Sequence, residues 1–82
     1  MTHENLYTMA DWERDHTLKV EVGQIIVPEI YYQLLCALPP HRNDTLFQAG
    51  EAETLDWNTG EPLYMTFERM DGDYYKYIGL MA

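Results

Sequence analysis

The residues best suited to metal ligation or proton transfer are three histidines, at positions 3, 16 and 41, and they fall in three separate segments. No second histidine stands at i+3 or i+4 from any of them, so the paired imidazoles of a helical metal site are missing. Cys36 is the single cysteine. It falls within an apolar helical stripe, where a free cysteine packs as a small hydrophobe, and no histidine is placed by sequence to polarise it as a nucleophile. The chain has no serine, no glycine-rich phosphate loop and no Gly-x-Ser-x-Gly elbow. Carboxylates are plentiful, but a general acid needs one in an apolar pocket with a raised pKa. Ligand cavities occupy roughly 300–1,000 Å³, a large hole for a chain this short. The expectation is therefore no catalytic, cofactor-binding or metal-ligating residue, and no enzyme.

Charge is the stronger signal. Fourteen acidic residues against five basic ones give a formal charge of −9. Such a surface repels phosphate, which argues against direct binding to nucleic acid or to an anionic membrane. Asp44, Glu51, Glu53, Asp56, Glu61 and Glu68 lie between Arg42 and Arg69 with no basic residue among them. Asp11, Glu13 and Asp15 form a second group, offset only by Arg14. One reading is a solvated face that keeps the chain in solution. The other is an electronegative surface that enters a basic groove in place of a nucleic acid. Tyrosines add a further candidate surface, because tyrosine supplies contact area with a polar tip. Tyr64, Tyr75 and Tyr77 either face outward as an aromatic platform, or are covered by the N-terminal segment with Tyr7 and Trp12. The candidate partner-binding residues are thus Glu51, Glu53, Asp56, Glu61, Tyr64, Tyr75 and Tyr77.

These residues must be positioned by a small number of elements. With 82 residues, 46% hydrophobic and 13% aromatic, the chain suits one small ordered domain, with residues 1–17 a loosely attached N-terminal segment. Leu63, Met65 and Phe67 alternate with Tyr64, Thr66 and Glu68, the period of a half-buried strand. Asp71-Gly72 then reads as a two-residue hairpin turn. That turn sets Arg69 opposite Tyr74, Phe67 opposite Lys76, Met65 opposite Ile78, Leu63 opposite Leu80 and Tyr64 across from Gly79. Leu63, Met65, Phe67, Ile78 and Leu80 would share the core face, leaving the tyrosines on the other. A helix is expected over about 28–38, opened by Pro28, striped by Ile30, Leu34 and Leu38 with Tyr31 and Leu35, and stopped by Pro39-Pro40. Leu18, Val20 and Val22 read as a strand broken at Gly23. Leu46 and Phe47 mark another, Asn58-Thr59-Gly60 a turn, and Thr8 with Asp11 a weak cap for a short helix. The expected architecture is α+β, one helix on a three- to four-stranded antiparallel sheet in the order β-α-β-β-β.

The succession IYYQLLCALPP, LFQAGEAE and GEPLYMTFERMDGDYYKYIGL resembles a family of small uncharacterised proteins carried on bacterial plasmids and conjugative elements. The shared pattern is a Leu-Pro-Pro helix stop, a Phe-x-x-Gly-Glu stretch and a tyrosine-rich terminal hairpin, over roughly residues 23–80. The resemblance implies a mobile-element setting in a bacterial cytoplasm and no particular chemistry. No apolar run approaches the roughly 20 residues of a membrane span, and Met1–Asn5 lacks the basic, then apolar, start of a signal peptide. The chain therefore reads as a cytoplasmic interaction protein whose protein partner presents a basic groove, in particular an inhibitor of a host nucleic-acid-binding defence protein. The alternative is a structural or regulatory homodimer whose acidity serves solubility only.

Overall fold

The computed structural model describes residues 5–37, 41–42, 45–50, 52 and 54–82. Its elements are β1 (Leu6–Tyr7), α1 (Met9–Asp15), β2 (Ile25–Ile26), α2 (Pro28–Ala37), β3 (His41–Arg42), β4 (Leu46–Gln48), β5 (Thr54–Leu55), β6 (Pro62–Arg69) and β7 (Tyr75–Met81). Six strands run side by side in the order β1-β2-β7-β6-β4-β3, and β5 pairs with the start of β6. Neighbours are antiparallel except β1 and β2, which are parallel. The mixed helix-and-sheet class is as expected, but among the described residues there are two helices, and the sheet is wider than three or four strands. The additional strands β1, β2, β3 and β5 are two residues long, too short for any periodicity to mark them.

The segment with the strand pattern Leu18, Val20, Val22 forms no strand. Val20 is buried, but Val22 is 70% exposed. The chain turns at Val22-Gly23, where the Gln24 N–H donates to the Glu21 carbonyl at 2.9 Å. The Gly23 N–H then donates to the Tyr77 carbonyl at 2.9 Å, the Tyr77 N–H donates to the Gln24 carbonyl at 2.8 Å, and the strand itself begins at Ile25. Ile25 and Ile26 then stand opposite Lys76 and Tyr75 of β7.

The β6–β7 hairpin forms in a different register from the one its turn predicts. A two-residue I′ turn needs positive φ at both central residues. Gly72 takes φ +70, whereas Asp71 is not among the positive-φ residues. The connection is accordingly three residues, Asp71–Asp73, closed by the Met70 N–H donating to the Tyr74 carbonyl at 2.8 Å. Arg69 therefore faces Tyr75, Glu68 faces Lys76 and Phe67 faces Tyr77. A bulge follows: Ile78 has no opposite number, and Gly79, at φ +115, stands across from Thr66. Beyond it Met65 faces Leu80, and Tyr64 faces Met81 instead of Gly79. Tyr75 and Tyr77 thus lie on the Phe67 face and are buried, not displayed. Of the five residues expected to fill the core face, Met65 and Phe67 do so, Leu63 and Ile78 are half-buried, and Leu80 is 41% exposed.

α2 closes this face. Pro28 opens it at a position whose N–H would lack a helical partner, and Ile30 and Tyr31 are its buried residues. Leu34 and Leu35 pack partly against the core. Tyr31 stacks on Tyr75 with centroids 4.5 Å apart and meets Phe47 edge-on at 5.1 Å. Phe47 in turn lies 5.5 Å from Phe67. Burial pushes the Tyr75 hydroxyl up to about 12. Tyr32, half exposed, hydrogen-bonds Asp73 and so fastens the helix to the hairpin loop. Cys36, expected in the core, is exposed. The Pro39-Pro40 stop lies outside the described residues.

Of the N-terminal segment read as loosely attached, residues 7–15 are tied into the body. Tyr7 is buried. Its hydroxyl donates to Asp15 Oδ2 at 2.7 Å and accepts the Lys19 N–H at 3.2 Å. Thr8 caps α1, its hydroxyl accepting the Asp11 N–H while the Asp11 carboxylate accepts the Thr8 N–H at 2.9 Å. On the sheet face away from α2, Thr66 is also buried. Its hydroxyl donates to the Tyr64 carbonyl at 2.9 Å and accepts from Gln48 Nε2 at 3.1 Å.

Two substitutions check this arrangement. Phe67→Ala removes a wholly buried ring from the aromatic layer and is expected to cost about 3–5 kcal/mol, read as a lowered denaturation midpoint. Gly72→Val should destabilise by more than about 1 kcal/mol, because a β-branched residue resists positive φ. A neutral result would place the hairpin loop elsewhere.

Candidate functional site

Two acids of the stretch that the sequence singles out, Asp56 and Glu61, lie in a hairpin arm. Thr54 and Leu55 of β5 pair with Leu63 and Pro62 of β6, leaving residues 56–61 as the connection. Asp56 organises that connection through its own carboxylate. Asp56 Oδ1 accepts the N–H groups of Asn58 at 2.7 Å and Thr59 at 3.2 Å, the short-range bonding that makes aspartate a turn former. The Asp56 N–H donates to the Glu61 carbonyl at 2.8 Å, and the Gly60 N–H donates to the Asp56 carbonyl at 2.9 Å. The Glu61 N–H reaches Thr59 Oγ1 at 3.3 Å. At the tip Trp57 is 100% exposed, and Leu55 beside it is 60% exposed. An open depression of about 470 Å³ is lined by Thr54, Leu55, Asp56, Trp57 and Gly60.

The structure brings together some of the expected partner-binding residues and separates others. Asp56 and Glu61 close the same turn, with Glu61 exposed. Glu51 and Glu53 lie outside the described residues. Tyr64 is half-buried at the root of the arm. Tyr75 and Tyr77 sit in the core and leave no aromatic platform. Trp57 was not among the expected residues. The signal for it was available: an aromatic residue set among Asp56, Asn58, Thr59 and Gly60 lies in a run of turn-forming residues, and turns lie at the surface.

Asp11 and Asp15 are engaged within the fold. Asp11 bonds Thr8 and lies 3.2 Å from Arg14 Nη1. Asp15 binds Arg14 Nε at 3.1 Å and the Tyr7 hydroxyl. Hydrogen bonds from Thr8 hold the Asp11 carboxyl below the usual carboxylate range, and Arg14 followed by Tyr7 does the same for Asp15. A general acid needs the opposite shift. Glu68 stands across from Lys76, an opposite-charge cross-strand position. The arm is therefore where the acidity lies beside an apolar surface with no basic residue opposite it in the strand pairing.

A second concavity, of about 430 Å³, runs beside α1 and α2 and is lined by Met9, Trp12, Glu13, His16 and Gln33. His16 is exposed at the left-handed C-cap of α1. Among the described residues, no three His, Cys, Asp or Glu side chains are grouped so as to hold a metal ion. No helix among them is long and apolar enough to cross a membrane. No protein-family model, curated protein or solved structure matches the chain.

Proposed function

We propose that this chain is a non-enzymatic interaction protein that takes a basic protein partner through the acidic arm, with Glu51, Glu53, Asp56 and Glu61 as its charged contacts. One observation carries the reading: a turn shaped by the Asp56 carboxylate leaves the Glu61 side chain exposed beside exposed apolar side chains, whereas Asp11 and Asp15 are engaged in internal bonds. An electronegative surface of this kind steers toward cationic grooves and fixes partner choice. The plasmid-type pattern of the sequence extends the proposal to a bacterial mobile element, where the partner would be a nucleic-acid-binding defence protein of the host. Tyr75 and Tyr77 have no part in the surface, because both are buried.

The test is charge reversal that spares the turn. Glu51→Lys, Glu53→Lys and Glu61→Lys are combined with Asp56→Asn, since asparagine keeps the Oδ1 acceptor on which Asn58 and Thr59 depend. Glu61 is exposed, and its change should move stability by about 0.5 kcal/mol or less. The circular dichroism spectrum should stay native while the partner captured from host extract at physiological salt is lost. Equal capture by variant and parent rejects the reading.

A second reading, a homodimer, is favoured by β7. Past Tyr77 its outer edge has no pairing strand among the described residues, and Leu80, Met81 and Val22 near it are exposed. An open strand edge can pair with the same edge of another copy. On this reading the parent is a dimer by sedimentation, and Leu80→Lys with Met81→Lys makes it a monomer. A parent that sediments as a monomer at every concentration removes this alternative.

A further inference from the structure

We propose that Trp57 anchors the arm to its partner, its indole entering a pocket with an apolar floor and an arginine rim. This rests on the reading of the arm as a binding surface and deepens it by naming the residue that makes the central contact and the chemistry that receives it. Trp57 is 100% exposed in a chain that buries Phe47 and Phe67 completely. An indole left wholly in water contributes little to folding and retains its burial free energy for another surface. Leu55, 60% exposed, extends the apolar area next to it. The backbone beneath is already fixed by the Asp56–Glu61 and Asp56–Gly60 hydrogen bonds. Docking then costs little further ordering, the condition under which one aromatic side chain dominates an interface.

The rim sets the charge of the occupant. Asp56 lines the same depression as Trp57, the exposed Glu61 closes the same turn, and no basic residue falls between Arg42 and Arg69 in the sequence. Guanidinium is the cation that both pairs with a carboxylate through a planar fork and stacks on an indole face. A second copy of this chain would set the same carboxylates against each other, and an anionic bilayer would repel them. An arginine-bearing protein surface is the occupant that fits both the indole and its border.

The experiment uses the full chain carrying Trp12→Phe, which leaves Trp57 as the sole tryptophan. The probe is a short labelled peptide of alternating arginine and leucine, with the glutamate-leucine peptide as its control. The arginine peptide should shift Trp57 emission to the blue and bind more weakly as salt rises; the glutamate peptide should do neither. Trp57→Ala in the parent should weaken peptide binding about tenfold or more, without moving the denaturation midpoint, and Trp57→Phe should retain most of the binding. Equal binding by parent and Trp57→Ala overturns the anchor. It does so even where Glu51→Gln, Glu53→Gln and Glu61→Gln together abolish binding, so failure of the anchor and failure of the acidic surface are told apart. No binding of the arginine peptide to the parent also overturns it. So does a blue shift produced only by phosphatidylcholine–phosphatidylglycerol vesicles, or only by raising the protein concentration.

Discussion

The pairing of β6 with β7 is the constraint on which the other elements depend. A strand presents alternate residues to opposite faces, so a one-residue change of register exchanges what is buried for what is shown. Here the three-residue loop moves β7 by one position, and the bulge at Ile78 moves it by one more. Between these two shifts, Tyr75 and Tyr77 come onto the face of Phe67. That face then holds a layer of rings, and Tyr31 stacks on Tyr75 while meeting Phe47. α2 rests on this layer, and β2 takes its place by pairing with Tyr75 and Lys76. Were β7 paired as a simple two-residue hairpin, the aromatic layer would lose Tyr75 and Tyr77 and the helix would lose its stacking partner.

The carboxylates divide into two groups by what they bind. Asp11 and Asp15 satisfy a helix cap, an arginine and a tyrosine hydroxyl, and so anchor the first helix against the sheet. Asp56 satisfies two backbone N–H groups and so shapes a turn. Glu61 supplies its backbone to that turn and leaves its side chain in water. Net charge alone cannot separate these roles, because all four residues contribute equally to −9. The separation comes from geometry.

Much of the fold was legible where one period or one cap decided the outcome. The helix from Pro28, the strand at Leu46 and Phe47, the burial of Met65 and Phe67, and the Thr8 cap follow from local residues alone. The register of β7 did not, because it depends on whether Asp71 adopts positive φ and on a bulge that Gly79 permits. Neither leaves a mark in hydrophobic alternation. The strand inferred from Leu18 to Val22 failed for a related reason: its alternation holds for Leu18 and Val20, but the turn at Gly23 carries Val22 into solvent. Of the candidate surface, the acids of the arm were legible as a run without basic residues. Trp57 was missed because a single aromatic residue in a turn has no periodicity to mark it.

The sheet order also has a temporal side. β2, near residue 25, finds its antiparallel neighbour only at Tyr75 and Lys76. Translation at roughly 5–20 residues per second separates the two by about 3–10 seconds. Through that interval β2 has its parallel neighbour β1, but the Tyr75 and Tyr77 rings and the β7 backbone on its other side have not been made. The amino-terminal half is therefore exposed to chance encounters with other apolar surfaces on a growing chain. The antiparallel half of the pairing of β2 waits for β7.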